Sequence, residues 1–64
     1  MVDVSKLKEK MMKKCFTVRA LAATSGVSES AINNILRQRT SPNISTIGKL
    51  AKALGIEPTD ILSN

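Results

Sequence analysis

Glu29, Ser30, Asn33 and Asn34 lie within a span of seven residues that also holds Ile32 and Ile35. A carboxylate offers acceptors, a hydroxyl offers a donor and acceptors, and an amide offers both kinds. That chemistry is recognition by hydrogen bonding. Catalysis has little to work with. The chain has no histidine, a single cysteine (Cys15) and no carboxylate pair at a recognisable spacing, and 64 residues leave little room for a substrate cleft. The same shortage argues against a metal cluster, which draws chiefly on His and Cys. No catalytic residue, cofactor or small-molecule ligand is expected.

The polar residues need an element to present them. Ile32 and Ile35 are three apart, so on a helix they share one face and leave the short polar residues in front. A helix of this kind suits a groove lined with donors and acceptors. Ser28 precedes it as a good N-cap, and Gly26 can take the positive φ of a tight turn. Upstream, Leu21 and Ala22 can face inward together from a helix over residues 18–25, capped by Thr17. The stretch from Val18 to Arg37 therefore reads as helix, turn at residues 26–28 and helix at 29–37.

The flanking segments read as supports. Val4, Leu7 and Met11 make a narrow apolar stripe on a first helix over residues 3–14, capped by Asp3 or Ser5. Its lysines (6, 8, 10, 13 and 14) read individually as a solvated face, with phosphate contact as the functional alternative. Phe16, just before the Thr17 cap, is placed to pack back on the next helix as a hydrophobic staple, and Cys15 reads as a small, partly buried filler. Residues 38–42 form a polar loop stopped by Pro42, and Asn43 caps a fourth helix over residues 44–54. There Ile44, Ile47, Leu50, Ala51 and Leu54 follow a helical face. Gly48 inside it costs about 1 kcal/mol against alanine, and close helix contact is the reading that would explain it. Gly55 is a natural residue to end the helix. Pro58 then opens a short fifth helix closed by Ile61 and Leu62. The expectation is one all-α domain of five short helices spanning residues 1–64, with no strand.

Composition narrows the partner. Ten basic residues against five acidic ones give a net charge of +5, which points to a polyanion: nucleic acid first, an anionic membrane surface second. The stripe on the first helix is too narrow to serve both a membrane and the core. No run approaches the ~18 apolar residues that span a bilayer. A lone cysteine and lysine-broken apolar runs near the N-terminus fit a reducing, cytoplasmic setting.

The chain resembles the Cro/C1-type (XRE-type) helix-turn-helix domain of phage and bacterial repressors over about residues 4–62. The matching parts are Leu7, Thr17-x-x-x-Leu21-Ala22, Gly26-Val27-Ser28, Ala31-Ile32-x-x-Ile35, Pro42 and Ile47-x-x-Leu50-Ala51-x-x-Leu54-Gly55-Ile56. The resemblance implies five helices and sequence-specific binding of double-stranded DNA as a cytoplasmic regulator, usually a dimer on a two-fold operator. It departs from the family at five positions. Val18 stands where Gln often contacts a phosphate, so that contact is either lost or moved to Thr17 or Arg19. Leu36 and Met11 replace a common ion pair. Gln38 and Cys15 stand where Gly is usual.

Carried over by position, the resemblance puts the third helix in the major groove. Glu29, Ser30 and Asn34 face the bases, with Ser28 at the adjoining edge. Phosphate contacts fall to Thr17, Arg19, Ser28, Asn33, Arg37, Arg39, Thr40 and Asn43. A dimer would use the region after the third helix or Ile56, Ile61 and Leu62. The competing reading is a helical protein-interaction module whose third helix reads no DNA.

Overall fold

The computed structural model describes residues 2–62. Four α-helices follow in order: α1 (Val4–Lys13), α2 (Val18–Ser25), α3 (Glu29–Leu36) and α4 (Ile44–Leu54). A 3-10 helix, Pro58–Ile61, comes last. The expected fifth α-helix is therefore a single 3-10 turn. Four residues cannot build a run of i to i−4 bonds. The turn is held instead by Asp60 N donating to Glu57 O (2.9 Å) and Glu57 N donating to the Asp60 carboxylate (3.1 Å). No strand occurs among the described residues. Val2 and Leu62 form one isolated antiparallel bridge, and Asp3 N donates to Ile61 O at 2.8 Å, so the two ends of the described chain lie together.

Each helix starts on a side chain that accepts from its first turn. Asp3 accepts from Lys6 N (3.2 Å), Thr17 from Ala20 N (3.0 Å), Ser28 from Ala31 N (3.1 Å) and Asn43 from Thr46 N (2.8 Å). Of the two candidate caps for α1, Asp3 serves. The helices stop by left-handed residues. Gly26 and Gly55 do this at φ 77° and 69°. Cys15 and Gln38, both at φ 58°, do the same without glycine's freedom. After α3, Gln38 N donates to Ile35 O and Arg39 N to Asn34 O. After α1, Cys15 N donates to Met12 O and Phe16 N to Met11 O. Both are the paired bonds of a Schellman ending. Cys15 and Gln38, two of the departures, thus take the left-handed turn that a glycine adopts freely.

The core is aliphatic. Leu7, Leu21, Ile32, Leu50, Leu54 and Ile61 are fully buried, with Met11, Ile35, Val27 and Ala51 beside them. α2 packs on α3 and α4, while the 3-10 helix bridges α4 and α1. Phe16, Val18, Ala22, Leu36 and Ile47 are half-buried against this cluster. Val18 and Leu36 therefore do packing work where polar residues are usual.

Four expectations change. Ile44 is 87% exposed, because it is the first residue of α4 and no element lies over that end. Cys15 is exposed, since its left-handed turn swings it out of the packing layer. Ile61 is fully buried within the core and has no surface left for a second copy. A Cβ at Gly48 would meet nothing within 4 Å, so close helix contact does not explain that glycine.

Candidate nucleic-acid interface

The interface is built on the α2–α3 turn. Gly26 N donates to Ala22 O at 3.0 Å, and the left-handed Gly26 reverses the chain. Val27 N donates to Ser25 Oγ at 3.1 Å, and Val27 is buried. Ser28 then caps α3. The amides of Gly26, Val27 and Ala31 are thus satisfied locally, which fixes where α3 starts. Ser25 is a positioning residue that the sequence pattern did not single out. Its signal is a hydroxyl two residues before a buried amide.

Ile32 and Ile35 anchor the back of α3 in the core. On the other side Ser28, Glu29, Ser30 and Asn33 are exposed, while Asn34 is half-buried. Glu29 lies in the first turn, where the helix dipole favours an acid. No buried polar side-chain atom lacks a partner among the described residues. Glu29, Ser30 and Asn33 present their polar groups outward, and Asn34 is partly covered.

The expected phosphate-contacting residues flank this helix. Thr17 and Arg19 open α2, and both are exposed. Arg37, Arg39 and Thr40 are exposed on the segment after α3, and Asn43 is exposed at the start of α4. Capping does not exhaust these side chains. The Thr17 and Ser28 hydroxyls accept from the backbone and keep an O–H to donate, and Asn43 keeps its amide N–H groups. Residues 17–43 carry three arginines against Glu29 alone, and none of the three is in an ion pair among the described residues. Behind the loop lies a cleft of about 90 Å³, lined by Val2, Val4, Ile35, Gln38 and Pro42 among others. Among the described residues no group of His, Cys, Asp and Glu side chains could hold a metal ion, and no helix is long and apolar enough to cross a membrane.

This arrangement, an anchored helix set by a tight turn with donors at the edges, defines a helix-turn-helix protein. Residues 7–61 match the helix-turn-helix family model, and the chain belongs to that family, in its Cro/C1-like (XRE) branch. It is thereby a DNA-binding protein of transcription regulation. The fold is also similar to the crystal structure of the restriction-modification controller protein C.AhdI from Aeromonas hydrophila. The two share 30% identity over 92% of this chain and 89% of that one, with a TM-score of 0.87. No curated protein matches.

Proposed function

We propose that the protein is a non-catalytic cytoplasmic repressor that binds a two-fold operator as a homodimer, with α3 in the major groove. The observation that carries this reading is the division of α3 into a core-anchored back and a polar front on which Glu29, Ser30 and Asn33 are exposed and Asn34 is half-buried. Glu29, Ser30 and Asn34 read base edges. Asn suits adenine, Glu accepts from a cytosine amino group, and Ser is undiscriminating. Thr17, Arg19, Ser28, Asn33, Arg37, Arg39, Thr40 and Asn43 hold the backbone on either side and set the register. With Ile61 committed to the core, the subunit contact falls to the region after α3 and to Ile56 and Leu62, both half-buried. The likeness to a restriction-modification controller supports a role in transcription control.

Selection of bound sequences from a random DNA pool tests the reading. The expected product is a two-fold motif with half-site centres about one helical turn apart. A motif without symmetry removes the dimer. Failure to enrich any sequence, together with salt-independent behaviour on random DNA, favours a protein-interaction module instead.

A further inference from the structure

The excess positive charge is not where α3 is. Residues 3–14 hold five lysines against Asp3 and Glu9, a net +3 of the chain's +5. Residues 17–43 contribute +2, and in residues 44–64 Lys49 and Lys52 cancel Glu57 and Asp60. Most of the polyanion-attracting charge thus sits on α1, outside the helix-turn-helix.

Within α1 the lysines divide. Lys6 is tied back, its ammonium donating to Leu62 O at 3.4 Å. Lys10, Lys13 and Lys14 stand three and four apart at the C-terminal end, and Lys14 N still donates to Lys10 O at 3.1 Å, so the three share one flank. The only ion pair among the described residues is Lys13 with Glu9 at 3.3 Å. Both side chains are more than half exposed (64% and 58%), so solvent screens the pair and phosphate can displace the glutamate. The Schellman ending through Cys15 then turns the chain directly to Thr17. Three residues from Lys14 to Thr17 span at most about 10 Å. The lysine flank therefore runs into the edge that carries Thr17 and Arg19.

We propose that Lys10, Lys13 and Lys14 form a second backbone-binding surface, engaging phosphates that flank the base pairs read by α3 and lengthening the DNA footprint of each subunit. The proposal rests on the DNA-binding reading above.

The test compares two duplexes, one ending at the selected motif and one extended by about ten base pairs on each side, one helical turn. Wild-type protein binds the longer duplex several-fold more tightly. In the Lys10→Gln/Lys13→Gln/Lys14→Gln variant that advantage disappears. On the long duplex its log K against log salt slope is smaller by about two to three per subunit, at ~0.9 per phosphate neutralised. The corresponding triple arginine variant restores both. Helicity and melting of each variant are followed in parallel, and the arginine variant keeps the test decisive if the glutamine variant folds poorly. Equal slopes for wild type and glutamine variant overturn the proposal and leave these lysines as partners of the α1 dipole. An equal loss from Lys49→Gln/Lys52→Gln overturns it too, because the effect would then be bulk charge. If wild-type protein binds neither duplex, both the DNA-binding reading and this one fall.

Discussion

Two kinds of residue sit in conformations that suit the other kind. Cys15 holds a left-handed φ of 58° although it has a Cβ, while Gly48 occupies a helix interior with open space around it. The left-handed region costs a non-glycine residue roughly 1–2 kcal/mol. Glycine gives back about 0.4–1 kcal/mol of this through its freer unfolded chain. Relief of strain wins, so Cys15→Gly is expected to stabilise by about 0.5–1 kcal/mol. Gly48→Ala gains by the opposite route, about 0.5–1 kcal/mol from restricting the unfolded chain in a site that accepts the methyl group. In a domain of this size each raises the melting temperature by several degrees, on the scale of about 4–8 °C per kcal/mol. Thermal unfolding followed by circular dichroism checks both, and a fall in melting temperature for Gly48→Ala would mean that its Cβ does meet a neighbour. Neither feature shows in residue type. Cysteine carries no left-handed signature, and a helical glycine looks the same whether it is crowded or free.

At the scale of the element, helix starts were legible, and helix ends were legible where a glycine marks them, at Gly26 and Gly55, but not where Cys15 and Gln38 take the same left-handed turn. Asp3, Thr17, Ser28 and Asn43 cap because a side-chain oxygen reaches an amide three residues on, which is a local matter that spacing reveals. The 3-10 form of Pro58–Ile61 follows from its length, since four residues cannot build a run of i to i−4 bonds, and the proline signal marks a start without a length. Periodicity likewise counted Ile44 with the buried face of α4, since spacing cannot tell that nothing covers the first turn. The front of α3 was legible as a set of residue types, but which group meets which base depends on DNA that the chain does not encode. That division can be measured. Asn34→Ala should cost about 1–3 kcal/mol on the selected site and little on scrambled DNA. Arg39→Ala should weaken both alike and lower the salt slope by about one. Fluorescence anisotropy titrations over a salt series separate the two. Equal weakening of both DNAs by Asn34→Ala would take it out of base reading, and an unchanged slope would take Arg39 off the backbone.

For the whole molecule, the proposed dimer needs a surface on which two copies meet. The apolar surface in the sequence-expected contact regions is small. Ile61 is spent on the core, Ile56 and Leu62 are half-buried, and Ile44 stands 87% exposed where the loop after α3 enters α4. An isolated exposed isoleucine needs no explanation in a monomer. Its effect on stability and its effect on assembly therefore come apart. If it lies at the subunit contact, Ile44→Ser should weaken dimerisation by at least about 1 kcal/mol, a fivefold or greater rise in the dimer dissociation constant. Monomer stability should stay within about 0.5 kcal/mol, because the side chain buries nothing within one copy. Sedimentation equilibrium without DNA reads the first quantity, and thermal unfolding at a concentration where monomer dominates reads the second. An unchanged dimer constant would move the contact to the half-buried Ile56 and Leu62. A loss of monomer stability would mean that the start of α4 is covered by some part of its own chain.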